Sequence, residues 1–160
     1  MAEMPQPGEP APDFEGRTQT GETLRLSGLR GQPVALYFYP KDDTPGCTKQ
    51  ACNLRDHTGA LAEAGVAVVG VSADAVESHE AFASKYGLPF PLVADPDREV
   101  LEAYGVWGER TLYGRKVTGT KRTTFLIGPD GRVLHVFKRP KTDRHAEEIL
   151  DKLNALLPPE

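Results

Sequence analysis

The sequence contains little cysteine, no excess of positive charge and no long apolar run, and each shortage argues against a class of protein. Two cysteines in 160 residues are too few for a disulfide-rich secreted scaffold. A formal net charge of −4 gives no basis for a general affinity for polyanions, so nucleic acid is not an expected partner. The longest apolar runs fall far short of the roughly 20 residues that a membrane-spanning helix needs, so no membrane association is expected.

The N-terminal segment also lacks the marks of a secretory signal. Residues 1–14, MAEMPQPGEPAPDF, hold neither the basic segment nor the apolar core of such a signal. We therefore predict a cytoplasmic protein, in which the reducing compartment disfavours a permanent disulfide. The two cysteines are expected to be catalytic, redox-sensing or simply packed.

The overall composition predicts one globular domain over residues 1–160. Hydrophobic residues make up 39% of the chain and charged residues 26%, and no linker divides the sequence. A chain of this length can bury a sizeable core. Residues 1–12 carry four prolines without periodicity, so we predict an extended arm that either docks on the domain or frays.

Short apolar runs alternate with helical patterns along most of the chain. The run at residues 34–39, VALYFY, has no polar alternation, which is typical of a strand buried on both faces of a sheet. Further strands are predicted at residues 23–26, 66–72, 92–94, 123–127 and 133–137. Helices are predicted from residue 47 towards a C-terminal glycine at 65, and at residues 75–86, 98–104 and 144–157. Residues 106–120, with Trp107 and several glycines but little periodicity, are predicted to form a long loop.

The order of these elements predicts an α/β fold. Strand–helix–strand units with right-handed crossovers produce parallel strands covered by helices. The last two strands flank residues 129–131, Pro-Asp-Gly, which are a strong turn signal and indicate an antiparallel hairpin. The sheet is therefore expected to be mixed.

Cys47 is placed where a loop gives way to a helix, directly after the buried strand at residues 34–39. The carboxyl ends of parallel strands are where α/β folds carry their chemistry, and the unpaired N–H groups of a helix N-terminus stabilise a thiolate. Lys41 and Lys49 are near in sequence and could add to this effect. Asp42 and Asp43 would oppose it unless their carboxylates point into solvent. The position thus favours a reactive Cys47 over a merely packed one.

Cys52 follows five residues later, at the edge of the buried helical stripe. In an intact helix the two positions rise ~7.5 Å and differ by roughly 140°, which puts their Cα atoms about 8–9 Å apart and beyond disulfide reach. A Cys47–Cys52 disulfide would therefore require the first turns of the helix to unwind. This makes the pair a poor structural link and a plausible redox switch.

The pattern P-x-x-x-T-x-x-C, present as Pro40, Thr44 and Cys47, resembles the signature of the peroxiredoxins. The second cysteine after four residues, Cys52, is similar to that of the atypical group known as bacterioferritin comigratory protein or PrxQ. The resemblance continues through VAVVGVSAD, YGVWGER and GTKRTTFLIGPDG to the terminal helix. It therefore covers nearly the whole chain.

The resemblance implies a thioredoxin-like fold, with a mixed central sheet flanked by helices, and a peroxidase that reduces hydrogen peroxide and organic hydroperoxides. By this resemblance Cys47 is the peroxidatic cysteine, Thr44 positions the thiolate and the peroxide, and Pro40 shields the site from water. Arg122 reaches the thiolate from a neighbouring strand, and Cys52 resolves oxidised Cys47 as an intramolecular disulfide. Thioredoxin or a similar dithiol is the implied reductant. No metal or other cofactor is needed, and a monomer is expected because resolution needs only one chain.

The cysteine pair is also compatible in principle with three other functions. A thioredoxin-type disulfide reductase would carry C-x-x-C at the helix start, and this chain has four residues between its cysteines. A zinc site could be nominated at Cys47, Cys52 and His57, but spacings of five wind around a helix and do not converge. A non-enzymatic redox sensor would use the same cysteine pair and stays open. Three further histidines are expected to be surface or structural: His79, His135 and His145.

Overall fold

A central mixed sheet organises the computed structural model, which describes residues 3–112 and 114–157. The strands are β1 Glu15–Thr18, β2 Thr23–Arg25, β3 Val34–Phe38, β4 Ala67–Ser72, β5 Leu92–Ala94, β6 Trp107–Leu112, β7 Arg115–Thr120, β8 Thr123–Ile127 and β9 Val133–Phe137. The helices are α1 Pro45–Asp56, α2 Thr58–Glu63, α3 Val76–Tyr86, α4 Glu99–Ala103 and α5 His145–Leu156, with a 3-10 helix at Leu26–Leu29. Within the described residues, no helix has both the length and the apolar character needed to cross a bilayer.

The strand order of the central sheet is β2-β1-β5-β4-β3-β8-β9. Strand β4 runs parallel to β3 and to β5, whereas β8 runs antiparallel to β3 and to β9. This confirms the predicted α/β class with a mixed sheet. The antiparallel β8 begins beside the end of β3, and the pair Phe38 and Thr123 marks that edge.

Strand β3 lies at the middle of two apolar layers, which explains why its sequence does not alternate. Ala35 and Tyr37 pack with the buried faces of α1, α2, α3 and α5. Leu36 and Phe38 point to the other face and pack with α4 and the N-terminal region. Successive side chains of a strand project to opposite faces, so a strand covered on both sides needs apolar residues throughout.

The described part of the proline-rich arm is hydrogen-bonded to the central sheet. The Gly8 N–H donates to the Val133 carbonyl at 2.8 Å, and the Val133 N–H donates to the Glu9 carbonyl at 2.9 Å. The Tyr104 hydroxyl, from the segment after α4, donates to the Pro12 carbonyl at 2.6 Å. Prolines lack an N–H donor, and the arm therefore pairs through the residues between them.

The long loop predicted at residues 106–120 was wrong. Strands β6 and β7 pair there as an antiparallel ribbon that is separate from the central sheet. Most of its described side chains lie in solvent, including Glu109, Thr111 and Lys116. A ribbon with most of its side chains in solvent shows no alternation of apolar and polar residues, and this removes the periodicity by which strands are recognised in a sequence.

The helical pattern from residue 47 to residue 61 is divided between two helices. His57, with φ −109° and ψ 16°, leaves the helical region and separates α1 from α2. The Thr58 hydroxyl donates to the Arg55 carbonyl at 2.6 Å, a local bond that competes with the helical pattern. The apolar stripe continues across the break, because Cys47, Leu54 and Leu61 share one buried cluster.

Candidate active site

Cys47 lies in the first turn of α1, at the carboxyl end of β3. Thr44 precedes the helix in extended conformation, and Pro45 occupies its first position, where a missing N–H costs nothing. The first intrahelical bond joins the Thr48 N–H to the Thr44 carbonyl at 2.8 Å. Cys47 is only 1% exposed. The thiol therefore sits at the positive end of a helix and is shielded from bulk water.

Arg122 supplies the cation that contacts the thiol. Its Nη2 atom lies 3.3 Å from Cys47 Sγ, and its Nη1 atom donates to Gln50 Oε1 at 2.6 Å. Arg122 directly precedes β8, and the antiparallel pairing of β8 with β3 puts it at the same sheet edge as the loop after β3. An arginine keeps its charge at all physiological pH values, so the thiol has a permanent cationic donor. Lys41 and Lys49, which the sequence offered for this role, are exposed.

Gly46 and Gln50, which were not predicted from the sequence, allow α1 to accommodate and orient the guanidinium of Arg122. A Cβ atom on Gly46 would lie 3.1 Å from Arg122 Nη2, closer than side-chain atoms normally approach. Gln50 is fully buried and orients the guanidinium through its carbonyl oxygen. Gln50 follows Cys47 by three residues and so shares its helix face, a spacing that could have identified it.

Thr44 and Pro40 lie in the loop that precedes Cys47. The Thr44 hydroxyl donates to the Lys41 carbonyl at 2.8 Å, which fixes the rotamer of Thr44. Its oxygen keeps lone pairs that can accept a hydrogen bond from a bound molecule. Pro40 is half-buried and follows β3 after one intervening residue, Tyr39. Both residues therefore lie in the segment that leads from β3 to Cys47, and Arg122 joins them from a distant part of the chain.

Asp42 is buried and belongs to a separate hydrogen-bond network. Its carboxylate accepts bonds from the Tyr39 hydroxyl at 2.6 Å, the Ser78 hydroxyl at 2.8 Å and His79 Nδ1 at 2.7 Å. His79 Nε2 lies 3.0 Å from the Val93 carbonyl. Both ring nitrogens thus lie within hydrogen-bond distance of oxygen atoms. The Asp42 carboxylate is therefore surrounded by hydrogen-bond partners within this network.

Asp74 extends the network of Asp42 and His79. Its Oδ2 atom accepts the Asp42 N–H at 2.9 Å and the Ser72 hydroxyl at 2.7 Å. One ligand-type atom from each of Asp42, Asp74 and His79 lies within 4.8 Å of the others. Because protein donors already occupy these carboxylate oxygens, the cluster acts as an internal brace for the loop before Cys47. His79 is accordingly a structural histidine, one of the two roles expected for it.

Asp43 is bonded to side chains of α3. It adopts a left-handed backbone conformation with φ 58°. Its carboxylate accepts bonds from Lys85 Nζ at 2.8 Å and from the Tyr86 hydroxyl at 2.7 Å. The hydrogen bond from Lys85, followed by that from Tyr86, lowers the pKa of Asp43. The carboxylates of both aspartates in the loop are therefore engaged by hydrogen bonds to other residues.

The buried side of the thiol contains two polar groups with unused hydrogen-bonding capacity. The Tyr37 hydroxyl and Gln50 Nε2 have no hydrogen-bond partner within residues 3–112 and 114–157. Burial raises the pKa of Tyr37 well above its ordinary value, and the nearby Cys47 and Asp42 add to the shift. Tyr37 therefore stays a neutral phenol in the same buried cluster as Cys47.

Cys52 lies on α1 and is partly exposed, whereas Cys47 is buried. Both thiols are free, so the structure represents the reduced protein with α1 folded through both positions. A groove of about 550 Å³ opens beside Arg122. Its lining includes Glu109, Thr111, Lys121, Lys138 and Arg139. Arg122, which contacts the thiol, thus also lines an open and mainly cationic surface.

Comparisons with known proteins show which family this chain resembles. Residues 7–136 match the AhpC/TSA family. A putative peroxiredoxin bcp of Coxiella burnetii is 48% identical over 146 residues, which cover 91% of this chain and 97% of the relative. The crystal structure of peroxidoxin BcpB from Mycobacterium tuberculosis has a TM-score of 0.84 and 40% identity, and the match covers 95% of this chain and 98% of that one. A structure of the bacterioferritin comigratory protein of Xanthomonas campestris has a TM-score of 0.83 and 36% identity, covering 89% and 90% of the two chains.

These likenesses confirm the thioredoxin-like fold that the sequence resemblance implied. The matches extend over most of this chain and most of each relative, so they concern the whole fold and not one motif. This chain therefore belongs to the AhpC/TSA family, as a thiol-dependent peroxidase of the Bcp peroxiredoxin group.

Proposed function

We propose that Cys47 is the peroxidatic cysteine and that it reduces hydrogen peroxide and organic hydroperoxides. The Cys47 thiolate attacks the terminal peroxide oxygen, the O–O bond breaks, and water or an alcohol leaves once the departing oxygen takes a proton. Cys47 becomes a sulfenic acid in this step. The observation that carries the proposal is the 3.3 Å contact from Arg122 Nη2 to Cys47 Sγ at a helix N-terminus.

The neighbouring groups support this chemistry. Arg122 and the first N–H groups of α1 favour the thiolate and can stabilise the charge that develops on the leaving oxygen. Thr44 Oγ1 can accept a hydrogen bond from the peroxide, because its own proton is donated to the Lys41 carbonyl. Pro40 limits the access of water to this side of the thiol.

Cys52 is proposed to resolve the sulfenic acid. Local unwinding of α1 brings the Cys52 sulfur to Cys47, where the S–O bond breaks, an S–S bond forms and water leaves. An external dithiol then returns both cysteines to thiols by exchange and is itself oxidised to a disulfide. Thioredoxin or a similar dithiol suits this step.

Substrate size and cellular setting follow from the same features. The groove of about 550 Å³ beside Arg122 leaves room for the organic part of an alkyl hydroperoxide. The Xanthomonas campestris relative is described in terms of alkyl peroxide reduction, and we extend this substrate class to the present chain. A cytoplasmic monomer fits the cycle, because resolution takes place within one chain and the reductant needs a reducing compartment.

Single-turnover chemistry tests the proposal. Reduced wild-type protein is mixed with stoichiometric hydrogen peroxide, and free thiols, intact mass and Trp107 fluorescence are followed. We expect both thiols to disappear within seconds and an intramolecular Cys47–Cys52 disulfide to form. Cys52→Ser is expected to react once and stop at a sulfenic acid, whereas Cys47→Ser should not react.

Three outcomes would contradict specific parts of the proposal. Survival of both wild-type thiols would remove the peroxidase role of this site. A Cys52→Ser protein that never reacts would make Cys52 the nucleophile. Disulfide formation without sustained turnover in the presence of a thioredoxin system would indicate a redox sensor in place of an enzyme.

A further inference from the structure

Asn53, the residue after Cys52, joins α1 to α5. Its Nδ2 atom donates to the Asp143 carbonyl at 3.0 Å, and its Oδ1 atom accepts the Ala146 N–H at 2.7 Å. Arg144, which precedes α5, offers no side-chain cap to that helix. Asn53 therefore performs from α1 the capping that a helix usually receives from its own chain.

A second contact extends this junction by one helical turn. His57 Nε2 lies 2.9 Å from Glu147 Oε1, and His57 Nδ1 lies 2.8 Å from the Asn53 carbonyl. Glu147 Oε1 is also 3.4 Å from Asn53 Nδ2. The end of α1 is thus bonded to the first turn of α5 at two successive turns, while Cys52 lies immediately before the first bond.

We propose that Asn53 is a positioning residue that latches α1 to α5 and so sets how readily α1 unwinds to deliver Cys52. The inference rests on the proposed role of Cys52 as the resolving cysteine. Cys47 and Cys52 cannot join while α1 is intact, so disulfide formation passes through an opened form of the helix. Each bond that exists only in the folded form lowers the population of that opened form.

The latch is effective because one of its partners is buried. Ala146 is fully buried, so the loss of Asn53 Oδ1 would leave its N–H without a partner away from water. An unpaired buried donor carries the full desolvation penalty, which is larger than the net value of an ordinary exposed hydrogen bond. The folded form of α1 is therefore favoured beyond what its own helical bonds provide.

The latch controls a competition for the sulfenic acid of Cys47. In one path Cys52 displaces water and forms the disulfide. In the other path a second hydroperoxide oxidises the sulfenic acid to sulfinic acid and leaves as water or an alcohol. A stronger latch slows the first path and leaves the second unchanged, so Asn53 sets the peroxide level at which the enzyme is over-oxidised.

Asn53→Ala tests the latch, because the latch and helix propensity predict changes of opposite sign in the rate of disulfide formation. Alanine has the higher helix propensity, so without a latch this substitution would slow unwinding. We expect the opposite: disulfide formation after a single turnover should become about fivefold to tenfold faster, from the loss of roughly one to two hydrogen bonds. Sulfinic acid at high peroxide, measured by intact mass, should fall. The rate constant of the first oxidation should change by less than about twofold, since Asn53 does not contact the thiol.

Asn154→Ala is the matched control, because it makes the same chemical change at an exposed position of α5. It should leave the rate of disulfide formation and the over-oxidation threshold unchanged. An unchanged or slower rate in Asn53→Ala, or an equal effect in Asn154→Ala, would overturn the inference.

Hydrogen exchange of the reduced proteins gives a readout that does not depend on catalysis. The amides of α1 should exchange faster in Asn53→Ala than in wild type and in Asn154→Ala. If wild type forms no Cys47–Cys52 disulfide, the proposed resolving role fails while this exchange difference still reports on the latch. If the disulfide forms but exchange of α1 is the same in all three proteins, the latch alone is refuted.

Discussion

At the scale of single residues, Arg122 bears most directly on the chemistry of Cys47. Its guanidinium touches the sulfur through one nitrogen and is held by buried Gln50 through the other. A planar guanidinium can donate to two acceptors at fixed angles, which a lysine ammonium cannot reproduce. The orientation of the charge is therefore determined as well as its presence.

Replacing Arg122 by methionine removes the charge and its N–H donors while keeping a long side chain. We expect the rate constant for oxidation of Cys47 by hydrogen peroxide to fall about 100-fold, in the range found when one donor to a developing negative charge is lost. Stopped-flow fluorescence under single-turnover conditions measures it. Lys121→Met removes the neighbouring charge in the same groove and should have a much smaller effect. Equal losses in both variants would mean that general electrostatic attraction, and not the contact with Sγ, drives the reaction.

At the scale of secondary-structure elements, the first turn of α1 has to leave room for the guanidinium of Arg122. Gly46 is placed in a helix, where glycine is unfavourable, yet a Cβ atom there would crowd Arg122 Nη2. Glycine at this position therefore lowers the local helix propensity, and its missing Cβ atom allows the guanidinium to approach Cys47.

Gly46→Ala separates these two effects. The substitution should slow oxidation of Cys47 by about threefold to tenfold, since a displacement of a few tenths of an ångström weakens the donor geometry, while helix propensity rises by roughly 0.5–1 kcal/mol. Stopped-flow oxidation and urea unfolding measure the two quantities. Gly59→Ala in α2 is the control, because a Cβ atom there meets nothing within 4 Å, and it should leave the oxidation rate unchanged. An unaffected rate in Gly46→Ala would show that Arg122 adjusts without loss.

At the scale of the whole molecule, two buried histidines connect segments that are far apart in the sequence. His79 joins α3 to the loop before Cys47 through Asp42, and also to β5 through the Val93 carbonyl. His145 joins α5 to β8 by its Nε2 atom, which lies 2.7 Å from Thr124 Oγ1. Polar contacts inside the core thus join the loop before Cys47 to α3 and β5, and join α5 to β8.

His79→Leu should destabilise the protein by about 1–3 kcal/mol, because it removes a hydrogen-bond partner from the buried carboxylate of Asp42. The free energy of unfolding in urea measures the effect. His135→Leu is the control, since His135 lies in β9 and is only partly buried. A loss similar to that of His135→Leu would show that Asp42 is sufficiently compensated by Tyr39 and Ser78.

His145 should make stability depend on pH. Burial lowers the pKa of His145 below its ordinary value of 6.5, the bond to Glu148 opposes the shift, and Arg122 adds to it. The unfolded chain therefore takes up the proton first as pH falls, so stability is full above the unfolded value and declines as pH drops through the lowered folded value. Unfolding in urea at about pH 7.5 and about pH 5.5 measures this decline. The excess stability of wild type over His145→Gln should shrink at the lower pH, and an increase there would contradict the assignment.

Local sequence patterns were sufficient for most elements but not for the β6–β7 ribbon. Strands such as β3 and β8 are buried throughout, and burial imposes apolar runs that can be recognised in the sequence, whereas β1 with the sequence EGRT has no such run and was not predicted. The ribbon lies mainly in solvent, so its pairing leaves no such trace. Similarly, the apolar stripe from Cys47 to Leu61 indicates which helix face is buried. It does not indicate the break at His57, because that break depends on backbone hydrogen bonds.

The sequence by itself determined what depends on neighbours along the chain: a buried strand, a turn, Cys47 at a helix start and Cys52 beyond disulfide reach in that helix. Only the tertiary structure decided what completes the site. The antiparallel placement of β8 beside β3 brings Arg122 to the sulfur, and the packing of α5 against α1 gives Asn53 its partners. Periodicity reports the burial of each segment, whereas these contacts depend on which segments become neighbours, and that follows from the packing of the whole sheet.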